Sequence, residues 1–116
     1  MNNKDHHPEA LFRVRGSTVF WGPGLQELLG RIQVTGSIKR AAQEMYMSYS
    51  KARRLIAIAE EELGYPVVES HSGGSARGST RLTAEGLRCY QLYETIQQEV
   101  QDHCERRFRE LLAPDR

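Results

Sequence analysis

Residues 36–59, GSIKRAAQEMYMSYSKARRLIAIA, decide the fold. Ile38, Ala41, Ala42 and Met45 fall at i, i+3, i+4 and i+7, and Ala52, Leu55, Ile56 and Ala59 repeat that spacing. Each set draws one apolar stripe along a helix. Two short helices that bury these stripes against each other leave the outer face of the second in solvent. That face carries Ser50, Arg53, Arg54 and the small Ala57, with Lys51 at its edge. Ser37 and Ser48 are placed to cap the two helices, and Met45-Tyr46-Met47 supplies the turn between them. The pattern predicts a helix-turn-helix that offers its second helix to a DNA groove.

The charge distribution agrees. The whole chain of 116 residues has a net charge of only +1. Within residues 37–58, however, Lys39, Arg40, Lys51, Arg53 and Arg54 face a single acid, Glu44, whereas residues 84–116 hold seven acids against five bases. A local basic patch is the electrostatic footprint that matters for DNA. Lys and Arg neutralise phosphates, and Arg also grips a guanine edge. The hydroxyls of Ser48, Tyr49 and Ser50 sit at a helix start, where backbone N–H groups favour a phosphate. Ser37, Lys39 and Arg40 extend the expected DNA surface onto the first helix.

Working outward, Phe12–Arg15 alternates apolar and basic residues and Thr18–Trp21 is rich in strand formers. Gly16-Ser17 between them predicts a two-residue hairpin turn with positive φ at its first position. Gly22-Pro23-Gly24 then opens a helix whose stripe, Leu25, Leu28, Leu29 and Ile32, ends at Gly36. The basic helix runs from Ser48 to about Leu63 and stops at Gly64, with Pro66 beyond. Val67–Glu69 and Ser79–Leu82 read as two strands around a glycine- and serine-rich loop, 71–78. A hairpin of that kind beside a helix-turn-helix is a wing. Gly73, Gly74 and Gly78 let such a loop lie close to a sugar-phosphate backbone, Arg77 and Arg81 supply charge, and Ser72 joins the expected DNA contacts.

Thr83 is placed to cap a last helix, Ala84–Leu112, with Glu85 in its first turn. Its stripe is Cys89, Tyr93, Ile96, Val100, Cys104, Phe108 and Leu111. At ~1.5 Å per residue such a helix spans roughly 43 Å, more than so small a domain covers. The stripe therefore predicts a homodimer interface, and its spacing near 3.67 residues favours crossed or bundled antiparallel packing over a long left-handed coiled coil.

The expected fold class is mainly α with small β. A flexible tail, 1–10, precedes a winged helix-turn-helix with an N-terminal β-hairpin, 11–83, and a C-terminal dimerisation helix, 84–112. Two cysteines without CxxC spacing give neither a disulfide framework nor a zinc site. His6-His7 on a polar terminus reads as no metal site, and no cofactor is expected. No nucleophile is spaced with a base, so the chain does not read as an enzyme. No apolar run approaches a membrane span and no signal peptide is evident, which places the expected protein in the cytoplasm.

The order GPG-helix, Thr35-Gly-Ser-Ile38 with Ala41-Ala42, Met47-Ser-Tyr49, PVVES at 66–70, a Gly/Ser loop and Leu82-Thr83 with Gly86 resembles the DNA-binding domain of ModE-type molybdate-responsive regulators. These are relatives of the LysR type. The resemblance covers about residues 11–105. It implies a winged helix-turn-helix dimer on a near-palindromic operator in double-stranded DNA, with Ser48, Tyr49, Ser50, Lys51, Arg53 and Arg54 reading or anchoring it. Full ModE proteins continue into oxyanion-binding domains and this chain ends at Arg116, so no such domain is expected here and molybdate sensing does not carry over. The effector is then absent, on another chain, or held in a pocket the sequence does not reveal. The family turn usually carries glycine where this chain has Tyr46. A non-glycine residue at positive φ costs roughly 1 kcal/mol, so either the turn is reshaped or Tyr46 packs well enough to offset the strain. Two other classes stand beside this reading. One is a winged-helix module whose basic face meets an acidic protein. The other is a redox or small-molecule sensor using Cys89 and Cys104.

Overall fold

The computed structural model describes residues 6–71 and 79–112. In chain order the elements are β1 (Val14–Arg15), β2 (Val19–Trp21), α1 (Pro23–Thr35), α2 (Ile38–Glu44), α3 (Tyr49–Leu63), β3 (Val68–Ser70), β4 (Thr80–Leu82) and α4 (Ala84–Leu112). The core forms where the stripes read from the sequence meet. Leu25, Leu28, Leu29 and Ile32 of α1, Ile38, Ala41 and Ala42 of α2, and Ala52, Ile56 and Ala59 of α3 are buried together with Trp21, Val67 and Tyr93. The alanines at the contact let the short helices approach closely.

Local chemistry sets the helix ends. Ser37 Oγ accepts from the Arg40 amide and Ser48 Oγ from the Lys51 amide, each at 3.0 Å. Gly36 and Gly64 close α1 and α3 in the left-handed region, at φ 71° and 84°. Thr83 Oγ1 caps α4 by accepting from Gly86 N (2.9 Å) and itself donates to Pro66 O (2.8 Å). Gly86 lies so close to the Val67 backbone that any side chain there would collide with it.

Three features depart from the sequence reading. The first is the N-terminal hairpin, which forms without the expected two-residue turn. Val14 pairs with Trp21 and Arg15 with Val19, leaving Phe20 as the extra residue of a bulge. Gly16 does not take positive φ. A tertiary contact from α3 shapes the turn instead: Ser17 Oγ donates to the Glu62 carboxylate, which also lies against Gly16.

The second correction concerns the tail, because residues 8–12 are fixed along α4. Gln97 accepts from Phe12 N (2.8 Å) and donates to Ala10 O (2.8 Å). One turn on, Gln101 accepts from Ala10 N and donates to Pro8 O, both at 2.9 Å. Two side-chain amides thus do for this segment what a neighbouring strand would do.

The third is the near half of the α4 stripe. Tyr93 is 3% exposed within its own chain. It stacks on Phe12 with ring centroids 5.0 Å apart and donates to Phe12 O at 2.6 Å. Burial raises its phenol above the ordinary tyrosine value. Cys89 packs against the core and lies 3.3 Å from Tyr65 Oη. These two residues hold the domain together and are not part of a free face.

The turn at Tyr46 matches neither expected alternative. Its φ is 56°, so the left-handed conformation is kept, and the side chain is 97% exposed, so packing offsets nothing.

Candidate nucleic-acid interface

The caps and the core together aim one surface of the protein outward. Burying Ala52, Ile56 and Ala59 turns Ser50, Lys51, Arg53, Arg54 and Ala57 into solvent. Tyr49 is half exposed beside them, with the Arg53 guanidinium 6.0 Å from its ring centroid. At that distance the ring attracts the cation and orients it. Lys39 and Arg40 are exposed at the start of α2. Among the described residues no carboxylate forms an ion pair with any of these five cations. Their charge is available to a polyanion.

The root of the wing joins this surface. Strands β3 and β4 are antiparallel, with Val68 opposite Leu82, Glu69 opposite Arg81 and Ser70 opposite Thr80. Val68 and Leu82 pack on the core. Thr80 N donates to Gly36 O (2.9 Å), tying the wing to the α1–α2 junction. Glu60 of α3 accepts from Val67 N at 2.8 Å, which ties it to the other side. Between these ties lies a polar cleft of about 270 Å³, lined by Ser37, Lys39, Arg53, Ser70, Ser79 and Thr80 among others. The hydroxyls of Ser70, Ser79 and Thr80 are donors beside two cations, and the sequence reading passed over them. Their signal was the strand period, which puts Ser70 and Thr80 opposite each other on one face.

Arg81 is partly engaged. Its guanidinium lies 3.6 Å from Glu69 and 3.5 Å from His71 Nδ1. Ser72, Gly73, Gly74, Arg77 and Gly78, expected at the wing tip, lie outside the described residues. No group of His, Cys, Asp or Glu among the described residues is arranged to hold a metal ion, and no described helix is long and apolar enough to cross a membrane.

The far half of α4 offers a second surface. Ile96 is half-buried, Val100 is 38% exposed and Leu111 73%. Ala10, Val100, Cys104, Phe108, Leu111 and Leu112 line a shallow apolar groove of about 620 Å³.

Comparison with known proteins agrees with the geometry. Residues 26–87, over half of the chain, match the family of bacterial regulatory helix-turn-helix proteins, lysR family. The chain belongs to this family. Over 85 residues it is also 33% identical to Transcriptional regulator ModE of Haemophilus influenzae, an alignment that covers 73% of this chain and 33% of that protein. The chain thus spans about a third of the length of the curated relative it matches. It carries the DNA-binding helix-turn-helix domain of a transcriptional regulator.

Proposed function

We propose that this chain is a sequence-specific, ModE-like transcriptional regulator that docks α3 in the major groove of double-stranded DNA as a homodimer. The observation that carries the reading is the outer face of α3, where Lys51, Arg53 and Arg54 are exposed and no acid among the described residues is paired to them. Ser48, Tyr49 and Ser50 at the helix start would approach base edges and phosphates. The polar cleft would take the neighbouring phosphate, with Arg53 and Lys39 as its charges. The groove on the far half of α4 supports dimerisation, since an apolar face of that length on a small domain is normally covered. A two-fold dimer would set half-site spacing near one DNA turn, about 34 Å, or a multiple of it.

The test starts with duplexes selected from random or genomic DNA, followed by titration across a salt series. Lys51→Ala and Arg54→Ala each weaken binding and each lower the salt slope by about one. Neither changes the melting temperature, because both side chains stand in solvent. Arg54→Ala also relaxes base preference if it reads a base edge. Affinities equal to wild type in both variants sink the proposal.

A further inference from the structure

Tyr46 is not used by the site as described above, and it is the one described non-glycine residue at positive φ. The turn imposes that conformation through its own bonds. Tyr46 N donates to Gln43 O (3.1 Å) and Met47 N to Ala42 O (3.0 Å). On either side, Met45 and Met47 pack against the core. Glycine at this position would adopt the same angle at no steric cost. Tyrosine bears the strain, and its ring, 97% exposed, gains nothing from the described residues in exchange. Backbone strain that the surrounding structure holds in place is a pointer to function.

The position says which function. Tyr46 stands two residues before Ser48, the N-cap of α3. When a helix-turn-helix docks, the start of the second helix meets base edges and the first helix crosses the backbone. The turn between them therefore lies at the edge of the groove, where phosphates line up. A phenol is an uncharged donor with a long rigid reach, suited to a phosphate oxygen.

We infer that Tyr46 is a DNA-backbone contact whose hydroxyl donates to a phosphate oxygen at the edge of the groove that α3 enters. The inference rests on the DNA-docking reading of α3. Because the donor is neutral, it adds affinity without displacing a counterion.

Tyr46→Gly and Tyr46→Phe, made in the full chain, test it against a selected duplex over a salt series. Tyr46→Gly melts higher than wild type, through relief of strain, yet binds about tenfold more weakly, as expected for one lost backbone contact. Tyr46→Phe keeps the wild-type melting temperature and binds about three- to fivefold more weakly, from loss of the hydroxyl alone. Both keep the wild-type salt slope, unlike Lys51→Ala. Wild-type affinity in both variants overturns the inference, and so does a loss in Tyr46→Gly that Tyr46→Phe does not share. A wild-type chain that binds no duplex overturns the α3 reading itself, which that measurement shows before any variant is made.

Discussion

The two halves of α4 carry one apolar stripe and put it to different uses. In the near half, Cys89 and Tyr93 face their own domain, and Gln97, joined at the boundary by Gln101, continues the contact by holding the N-terminal segment. In the far half, Val100, Cys104, Phe108 and Leu111 keep the same spacing and line a groove left open to solvent. Helical periodicity records that a face is apolar and says nothing about what covers it. The domain's own breadth decides that, and α4 outruns it. A residue's role on this helix follows from how far along it stands.

Substitutions in the two halves should therefore fail in different ways, and this contrast is the largest effect expected. Tyr93→Ala removes a buried ring, its stack on Phe12 and a hydrogen bond, and costs about 3–5 kcal/mol of folding stability in urea unfolding. Phe108→Asp leaves the fold of the domain intact. It places a charge in the open groove and converts the proposed dimer to a monomer in sedimentation or light scattering at micromolar concentration. If Phe108→Asp lowered stability as much as Tyr93→Ala and left the mass unchanged, the two halves would not differ in the way described.

The same contrast explains how far the sequence could be read. The three helices before the wing, the serine caps of α2 and α3, and the strands of the wing all rest on local signals: period, cap and glycine. They stand within a residue of where those signals put them. The misreadings came from contacts between residues far apart in sequence. Nothing near Gly16 announces Glu62, which shapes the hairpin turn from α3. Nothing in a polar N-terminus announces that amides at 97 and 101 will grip it, because such bonds go to backbone and carry no residue preference at the gripped end. The basic face proposed to meet DNA was legible on α3, where charge sits on a helix period. It was not legible at Ser70, Ser79 and Thr80, which become part of a cleft only when the wing docks on the α1–α2 junction.

A finer measurement concerns how two far halves would meet. Leu92 and Leu112, Ile96 and Phe108, and Val100 and Cys104 are three pairs centred on position 102. Such a pattern complements itself when two copies cross antiparallel about a two-fold axis, as an isologous interface requires. It would also set Glu99 near the partner's Arg106. Steps of four along the stripe suit a crossing of about 50° between the helices. In that register Val100→Cys brings the introduced thiol opposite the partner's Cys104, and mild oxidation gives a covalent dimer whose cross-linked peptides join those two positions. The native Cys104 pair, four residues out of register and so about 6 Å apart along the axis, stays unlinked. Linkage between the two introduced thiols would mean another arrangement, parallel or antiparallel about position 100, and would exclude the crossing centred on 102.

The smallest expected effect separates the near half's side-chain amides from its buried ring. Gln97→Ala removes the acceptor for Phe12 N and the donor for Ala10 O, while Gln101 still holds Ala10 N and Pro8 O. Both freed groups are only part-buried, so water replaces the lost partner and the cost is about 1 kcal/mol. Hydrogen exchange reads this residue by residue. The Phe12 amide exchanges faster in the variant, the Ala10 amide changes less because its own acceptor is intact, and the amides of 100–112 do not change. If Ala10 and Phe12 accelerated together and as strongly as in Tyr93→Ala, the segment would depend on the ring and not on the amides. The near half would then be held by one contact, with the glutamines merely lying alongside it.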